Sequence, residues 1–269
     1  MNIQGYEFDI NELVNYLKKY KSKLDMLYNW DSPKDKDIVR LFNMEIISEE
    51  ESNLLLENNK FERNIIFRKL FEKTFKTSSD NNHLDLICNW IVRDWGGIYG
   101  FKDDNPYDRV LKFKKEVENF SVNDVAIASM SKILSFIEPQ KYAIFDSRAA
   151  YTLNWLISKF DAADKFFNLP QGRNTKMNAF DINTLIHLKK VSMFNIKDID
   201  KLNISKIDKE IYIPHKKTYP VFTELIQVIS SKLWVGDKER QRYPYYTEMI
   251  LFSISDTYII KDIMECYSK

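Results

Sequence analysis

The recurrence of apolar residues at steps of three and four is the feature that most constrains this fold. The pattern begins over residues 13–28 and continues over 35–42, 50–75 and 84–95. This spacing puts apolar side chains on one face of an α-helix. With 6 Gly and 7 Pro in 269 residues, the chain has little of the turn chemistry that a β-sandwich or β-barrel requires. The sequence therefore predicts a mainly α fold.

Chain length and charge limit the domain organisation and the partners. A chain of 269 residues that is 44% hydrophobic can bury a substantial core. We expect a single helical domain over 1–269, with two lobes over 1–120 and 121–269 and a cleft between them. The net charge of +1 does not exclude nucleic-acid binding, because affinity for nucleic acid comes from a local basic face.

Several signatures are missing from the chain. There is no phosphate loop, no GxGxxG fingerprint, no GxSxG elbow and no HExxH, and the 3 His are isolated. We therefore expect neither a metal nor an organic cofactor. The 2 Cys have no CxxC spacing, the N-terminus has no basic region followed by an apolar run, and no stretch reaches the length of a membrane span. These features predict a cytoplasmic protein that does not enter a membrane.

Local signals place helix boundaries around one central stretch. Residues 121–124, Ser-Val-Asn-Asp, are expected to form a capping box for a helix that ends near Phe136. The apolar run 142–145 is expected to be extended and buried, and Asp146 to cap a helix over about 147–160. Further along, Pro214 and Pro220 are expected to frame a linker before a final helical pair.

Lys132 and Asp146 are the candidate catalytic residues. Lys132 lies in an otherwise apolar helix, and a partly desolvated lysine favours its neutral, nucleophilic form. Asp146 at a helix start is held ionised by backbone amides. An amine beside a fixed carboxylate suits attack at a sugar C1′, where positive charge develops. We expect both side chains to open into one concave, positively lined cleft. The alternative is a Lys132 that is solvated or that snorkels from its helix, and an Asp146 that is only an N-cap.

The order of these elements resembles the helix-hairpin-helix DNA glycosylase superfamily, whose 8-oxoguanine-type members use such a lysine and aspartate. The stretches 131–136, 145–150, 172–174 and 248–252 also resemble bacterial anti-phage DNA glycosylases that excise glucosylated hydroxymethylcytosine. The resemblance spans roughly residues 84–252. One departure is that residues 123–131 lack the Gly-rich turn of that superfamily, so either the hairpin is non-standard or the assignment to the superfamily fails.

The resemblance implies a DNA glycosylase that removes a modified cytosine from double-stranded phage DNA in antiviral defence. Asp146 would stabilise the oxocarbenium ion or orient the attacking group, and Lys132 would form a Schiff base with C1′ or assist electrostatically. The candidate DNA- and base-binding residues are Trp95, Gly96, Gly97, Tyr99, Tyr142, Arg148, Asn154, Arg173 and Asn174. Trp95, Tyr99 and Tyr142 are expected to line the pocket. The alternative function is a non-enzymatic, nucleic-acid-binding or interaction module of a defence system.

Overall fold

A computed structural model describes residues 1–170, 172, 174–194, 200–201 and 203–268, and it is mainly α-helical. The chain starts with a short antiparallel hairpin of β1 (Asn2–Ile3) and β2 (Tyr6–Glu7). Helices follow through the rest of the described residues, as the three-and-four spacing predicted. The prediction of a mainly α fold is therefore confirmed.

The helices of the N-terminal part are α1 (Ile10–Leu17), α2 (Leu24–Leu27), α3 (Asp35–Asn43), α4 (Glu49–Glu57), α5 (Lys60–Thr77), α6 (Asn81–Trp90) and α7 (Pro106–Glu118). Those that follow are α8 (Ile127–Ile137), α9 (Ser147–Phe160), α10 (Thr175–Ala179), α11 (Ile182–Lys189), α12 (Ile204–Ile211), α13 (His215–Leu233), α14 (Lys238–Arg242), α15 (Tyr245–Ile254) and α16 (Ile260–Tyr267). Short 3₁₀ segments occupy Lys18–Lys23 and Val191–Met193, and π-helical turns occupy Ile91–Trp95 and Ser255–Ile259.

Helix α8 is almost completely buried. Helices α5 and α7 and the π-helical turn Ile91–Trp95 pack against it, and α9 packs against α15. Ser129 to Ile137 of α8 are all buried. A buried apolar cluster runs from Ile3 to Ile263, so both predicted lobes contribute to the same core. The lobe boundary near residue 120 stays a prediction.

The predicted capping box before α8 is wrong. Helix α8 starts at Ile127, its N-cap is Ala126, and no side chain caps it. Asp124 instead forms a two-point ion pair with Arg109, whose Nε and Nη2 each donate to its carboxylate at 2.8 Å. Because that carboxylate also accepts from the Ala126 amide at 2.7 Å, it fixes the entry into the helix.

The predicted linker between Pro214 and Pro220 is also wrong. Pro214 is the N-cap of α13, and Pro220 lies inside this helix. A proline inside a helix leaves the carbonyl four residues earlier without its usual donor. Here that carbonyl belongs to Lys216, and it accepts from the Val122 amide at 3.1 Å. The partner outside the helix offsets part of the cost of the proline.

The final predicted helical pair is present. Helix α13 supplies its first member and α15 the start of its second, which continues through the π-helical turn Ser255–Ile259 into α16. In the part of the chain that the structure describes, no helix has both the length and the apolar character needed to cross a bilayer.

Candidate functional site

The connection between α8 and α9 brings Asp146 next to Lys132. Residues 142–145 are buried, as predicted, and belong to neither a helix nor a strand. The Phe145 amide donates to Ser131 Oγ at 3.1 Å, which ties the end of this run to α8 one residue before Lys132. Asp146 follows as the N-cap of α9 and accepts from the Ala149 amide at 2.9 Å. The predicted N-cap is thus confirmed, and backbone hydrogen bonds fix its position.

Lys132 is a buried lysine. Its side chain lies near the middle of α8 with 8% of its surface exposed, and its Nζ donates to the Ala128 carbonyl at 3.2 Å. This burial removes the alternative of a solvated lysine at the protein surface. Among described residues, no carboxylate lies within ion-pair distance of Nζ.

Lys132 and Asp146 face a common cavity of about 60 Å³. Aromatic side chains form much of its wall, and two further charged residues line it. The full lining is Tyr28, Trp30, Arg68, Trp95, Gly96, Lys132, Ile144, Asp146, Glu248 and Phe252. We call this space the Lys132 cavity. Because two basic side chains face two acidic ones, the expectation of a positively lined cleft is wrong.

Arg68 and Glu248 are the two charged residues that the sequence reasoning did not select. Arg68, on α5, is 1% exposed, and Glu248, on α15, is 4% exposed. Arg68 Nη2 lies 3.9 Å from Glu248 Oε2, which is too far for a hydrogen bond. The guanidinium lies over the rings of Trp95, Phe136 and Tyr245 at 5.6, 4.9 and 4.7 Å from the ring centroids. Cation–π contacts therefore hold Arg68 beside the cavity.

Burial changes the acid–base properties of two groups in the cavity. It raises the pKa of Glu248 to about 8, with the Asp146 charge acting in the same direction and Arg68 and Lys132 opposing it. Burial also lowers the pKa of Lys132, while the charges of Asp146 and Glu248 oppose that change. Both shifts favour the uncharged form, as expected when a low-dielectric site disfavours charge.

The raised pKa of Glu248 predicts a pH-dependent stability. The pKa of Glu248 in the folded protein, about 8, exceeds its pKa in the unfolded chain. The contribution of Glu248 to the free energy of unfolding is therefore full below the unfolded-state pKa and is lost as pH rises through the folded-state pKa. Relative to Glu248→Gln, the wild type should lose on the order of 3 kcal/mol of its free energy of unfolding between about pH 5 and about pH 8. Urea unfolding of both proteins across this range measures the difference. A constant difference would show that Glu248 titrates normally.

Gly96 makes room for the Lys132 side chain. A Cβ at this position would lie 2.8 Å from Lys132 Cδ, 2.7 Å from the Val92 carbonyl oxygen and 2.9 Å from that of Ile91. Gly96 was predicted to be a DNA- or base-binding residue, but the space that Lys132 and the two carbonyl oxygens occupy already explains why a glycine lies here. Its missing side chain lets Lys132 reach the cavity.

Gly96→Ala should destabilise the protein by about 2 kcal/mol, because the added methyl overlaps two carbonyl oxygens and the lysine chain. Gly100→Ala is the matched control, since a Cβ there would meet nothing within 4 Å. Urea unfolding curves of the two variants measure the effect. Equal stability of Gly96→Ala and Gly100→Ala would contradict the close packing of Lys132 and the two carbonyl oxygens around Gly96.

Two other predicted residues, Arg148 and Asn174, share a partner outside the cavity lining. The Arg148 guanidinium lies over the Phe252 ring at 4.7 Å, and its Nη2 lies 3.5 Å from Asp256. Asn174 Nδ2 donates to the same carboxylate at 2.8 Å. Asp256 thus contacts both Arg148 and Asn174, and neither of these two residues lines the Lys132 cavity.

The remaining predicted residues lie elsewhere. Asn154 is fully buried and pairs with the backbone of Phe167 in both directions, at 2.8 and 2.9 Å. Tyr142 is buried, and its hydroxyl donates to Glu118 at 3.3 Å, next to a different depression. Tyr99 is 67% exposed and does not line the Lys132 cavity.

Gly97 and Arg173 are the last two predicted residues. Gly97 adopts a φ of +68°, with the Trp30 ring 3.6 Å from where a Cβ would be. Arg173 lies outside the described residues. Of the predicted set, the structure brings together Lys132, Asp146, Trp95 and Gly96 at one cavity.

A sequence signal for the missed residues does exist. Glu248 is a single acidic residue in the apolar stretch of α15, and Arg68 lies between Phe67 and Phe71 on α5. A charged residue on the buried face of a helix is rare without a partner or a function. That rule would have selected both residues, but only the structure shows that they face each other.

A surface groove of about 380 Å³ adjoins the Lys132 cavity and shares Trp30 and Trp95 with it. Trp30 Nε1 donates to the Trp95 carbonyl at 2.8 Å, and its ring meets Phe252 edge-on at 5.6 Å. Trp30 and Trp95 therefore border both the groove and the cavity. Basic side chains outnumber acidic ones along the groove, which is lined by Asp31, Lys34, Asp35, Lys36, Lys60 and Arg63.

Comparisons with known proteins add no relative to this picture. The chain matches no protein-family model, and searches of curated proteins and of solved structures found no match.

Proposed function

We propose that the protein is a DNA glycosylase that excises a modified cytosine, of the glucosylated hydroxymethyl type, from double-stranded DNA and leaves an abasic site. The observation that carries this proposal is the shared cavity of Lys132 and Asp146. Cleavage of an N-glycosidic bond builds positive charge on the sugar, and a fixed carboxylate stabilises that charge.

Each catalytic group is held in a form that suits this reaction. Asp146 accepts from the Ala149 amide at the start of α9, where the helix dipole favours a negative charge. Burial lowers the pKa of Lys132, which raises the fraction of neutral amine that can attack C1′ or assist the reaction. The aromatic walls, with Tyr28, Trp30 and Trp95, offer surfaces on which a flipped base can stack.

The cavity needs to open before it can accept a nucleotide. Its volume of about 60 Å³ holds a few waters, whereas ligand pockets typically enclose roughly 300–1,000 Å³. Trp30 and Trp95 border both the cavity and the 380 Å³ groove, and a movement of these side chains would be needed to join the two spaces. Closing elements that move on substrate binding are common in enzymes. The basic residues of the groove would then lie along the DNA backbone.

One assay tests this proposal. The protein is incubated with duplexes of identical sequence that contain cytosine, hydroxymethylcytosine or glucosylated hydroxymethylcytosine, and abasic sites are detected by alkaline strand cleavage. We expect release from the glucosylated duplex and none from the unmodified one, because a pocket built to hydrogen-bond a polar group rejects a base that lacks it. Absence of release from all three duplexes would refute the proposal.

The small cavity favours a second candidate function, a non-enzymatic nucleic-acid-binding or interaction module. In that case Asp146 only caps α9, and the four charged residues only fill the core. Binding to DNA without abasic sites on any duplex would support this candidate. A binding constant that falls steeply with salt would assign the contact to DNA phosphates.

A further inference from the structure

Glu248 lies in the Lys132 cavity without the contacts that a buried carboxylate requires. It is 4% exposed, and Arg68 at 3.9 Å is its ion-pair neighbour within the described residues. None of the hydrogen bonds found among the described residues ends on its carboxyl group. A buried carboxylate needs hydrogen bonds or a close cation, whereas a carboxylic acid needs far less compensation.

The groups that face Glu248 come from several elements. Arg68 comes from α5, Lys132 from α8, Asp146 from the start of α9, and Tyr28 from the end of α2. The charges of Arg68 and Lys132 stabilise the carboxylate form of Glu248, whereas burial and the Asp146 charge stabilise its acid form. Because the pKa of Glu248 is raised to about 8, the acid form dominates near neutral pH. The cavity thus contains a proton donor, a fixed anion and an amine with a lowered pKa.

We propose that Glu248 is the acid that protonates the departing nucleobase, with Lys132 as the base that collects the proton released during attack. This inference rests on the proposed glycosylase function and assigns a role to a residue that the Lys–Asp pattern does not contain. Asp146 remains the carboxylate that stabilises the sugar cation. Arg68 stabilises the Glu248 carboxylate formed after proton transfer.

The proton balance closes within the cavity. The C1′–N bond breaks with its electron pair on the nucleobase, which takes the proton of Glu248. Water forms the C1′–O bond, and the Lys132 amine takes the proton that this water loses. The Lys132 ammonium then returns a proton to the Glu248 carboxylate. If Lys132 itself attacks C1′, a bond forms between Nζ and C1′, and the substituted ammonium gives one proton to the Glu248 carboxylate. The sugar then stays bonded to Lys132 until water releases it.

The protonation states can be measured on the free protein. Carboxyl-¹³C glutamate labelling, with Glu248→Gln to assign the signal, follows the Glu248 carboxyl group by NMR as pH changes. We expect the signal of a carboxylic acid at neutral pH and a carboxylate only at alkaline pH. A Glu248 signal that is already that of a carboxylate at pH 6 would overturn the inference, whatever the activity of the protein.

The donor role is tested on DNA with a series of target bases of increasing leaving-group acidity. Glu248→Gln should slow base release by about a hundredfold or more for the poorest leaving group. Its rate should rise more steeply along the series than that of the wild type, because a better leaving group needs less protonation. A purely structural role of Glu248 would lower all rates by one factor and leave the slope unchanged.

Glu72→Gln is the matched control, because Glu72 is a buried carboxyl on α5 that pairs with Lys76 and does not line the Lys132 cavity. It should keep the wild-type slope and rate. An unchanged slope in Glu248→Gln would overturn the donor role. A protonated Glu248 combined with no base release from any duplex would overturn the proposed function instead, and so the two failures are distinguishable.

Discussion

Asp146→Asn is expected to reduce base release by about a thousandfold, which is the largest effect on activity among the variants considered. In the proposed reaction, the substitution removes the negative charge that would stabilise the developing sugar cation but keeps the shape of the side chain. Its amide oxygen can still accept from the Ala149 amide, so α9 keeps its N-cap. Single-turnover release of the modified base from duplex DNA measures the loss, and a gel-shift assay should show nearly unchanged DNA binding.

Asp80→Asn provides the control for the Asp146 substitution. Asp80 is the N-cap of α6 and accepts from the Asn82 and His83 amides, but it does not line the Lys132 cavity. The same chemical change at an equivalent helix position should leave base release at the wild-type rate. If Asp146→Asn were as active as Asp80→Asn, the catalytic carboxylate of this proposal would be lost.

Lys132→Met is expected to slow base release by about a hundredfold or more, since it removes the amine while keeping a long apolar side chain in the buried position. It also removes a positive charge that faces Asp146 and Glu248. Borohydride treatment during turnover separates the two roles of the lysine. A trapped protein–DNA adduct in wild type that is absent in Lys132→Met identifies a Schiff base. Release by the wild type without any adduct identifies an electrostatic or proton-accepting role.

Lys159→Met is the control for this lysine substitution. Lys159 is half-buried on α9 and pairs with Asp262, away from the cavity. Its replacement should leave both the rate and any adduct unchanged. Wild-type activity in Lys132→Met would contradict a role for this amine in the reaction.

The features that the sequence determined by itself are local. The mainly helical fold follows from three-and-four apolar spacing, which needs no knowledge of what each helix packs against. The burial of residues 142–145 and the cap at Asp146 follow from composition over a few residues, and both are present. The fourteen-residue separation of Lys132 and Asp146 spans one connection between adjacent helices. Their convergence could therefore be predicted from the sequence.

The features that only the tertiary structure decided depend on contacts between distant parts of the chain. Pro220 looked like a linker residue, yet a hydrogen bond from Val122 to the Lys216 carbonyl makes its helical position tolerable. Asn154 and Tyr142 looked like binding residues, but their polar atoms are used by Phe167 and Glu118.

The charge balance of the cavity is the clearest case of such a tertiary contribution. Arg68 and Glu248 lie 180 positions apart in the chain, and they meet only because α5 and α15 both border the Lys132 cavity. Whether a buried lysine lies in a positive or a balanced site depends on such neighbours, since electrostatic interactions act through space and not along the sequence. Helix periodicity places Lys132 on a buried face, but the packing of the other helices decides which charges it meets and which protons it can exchange.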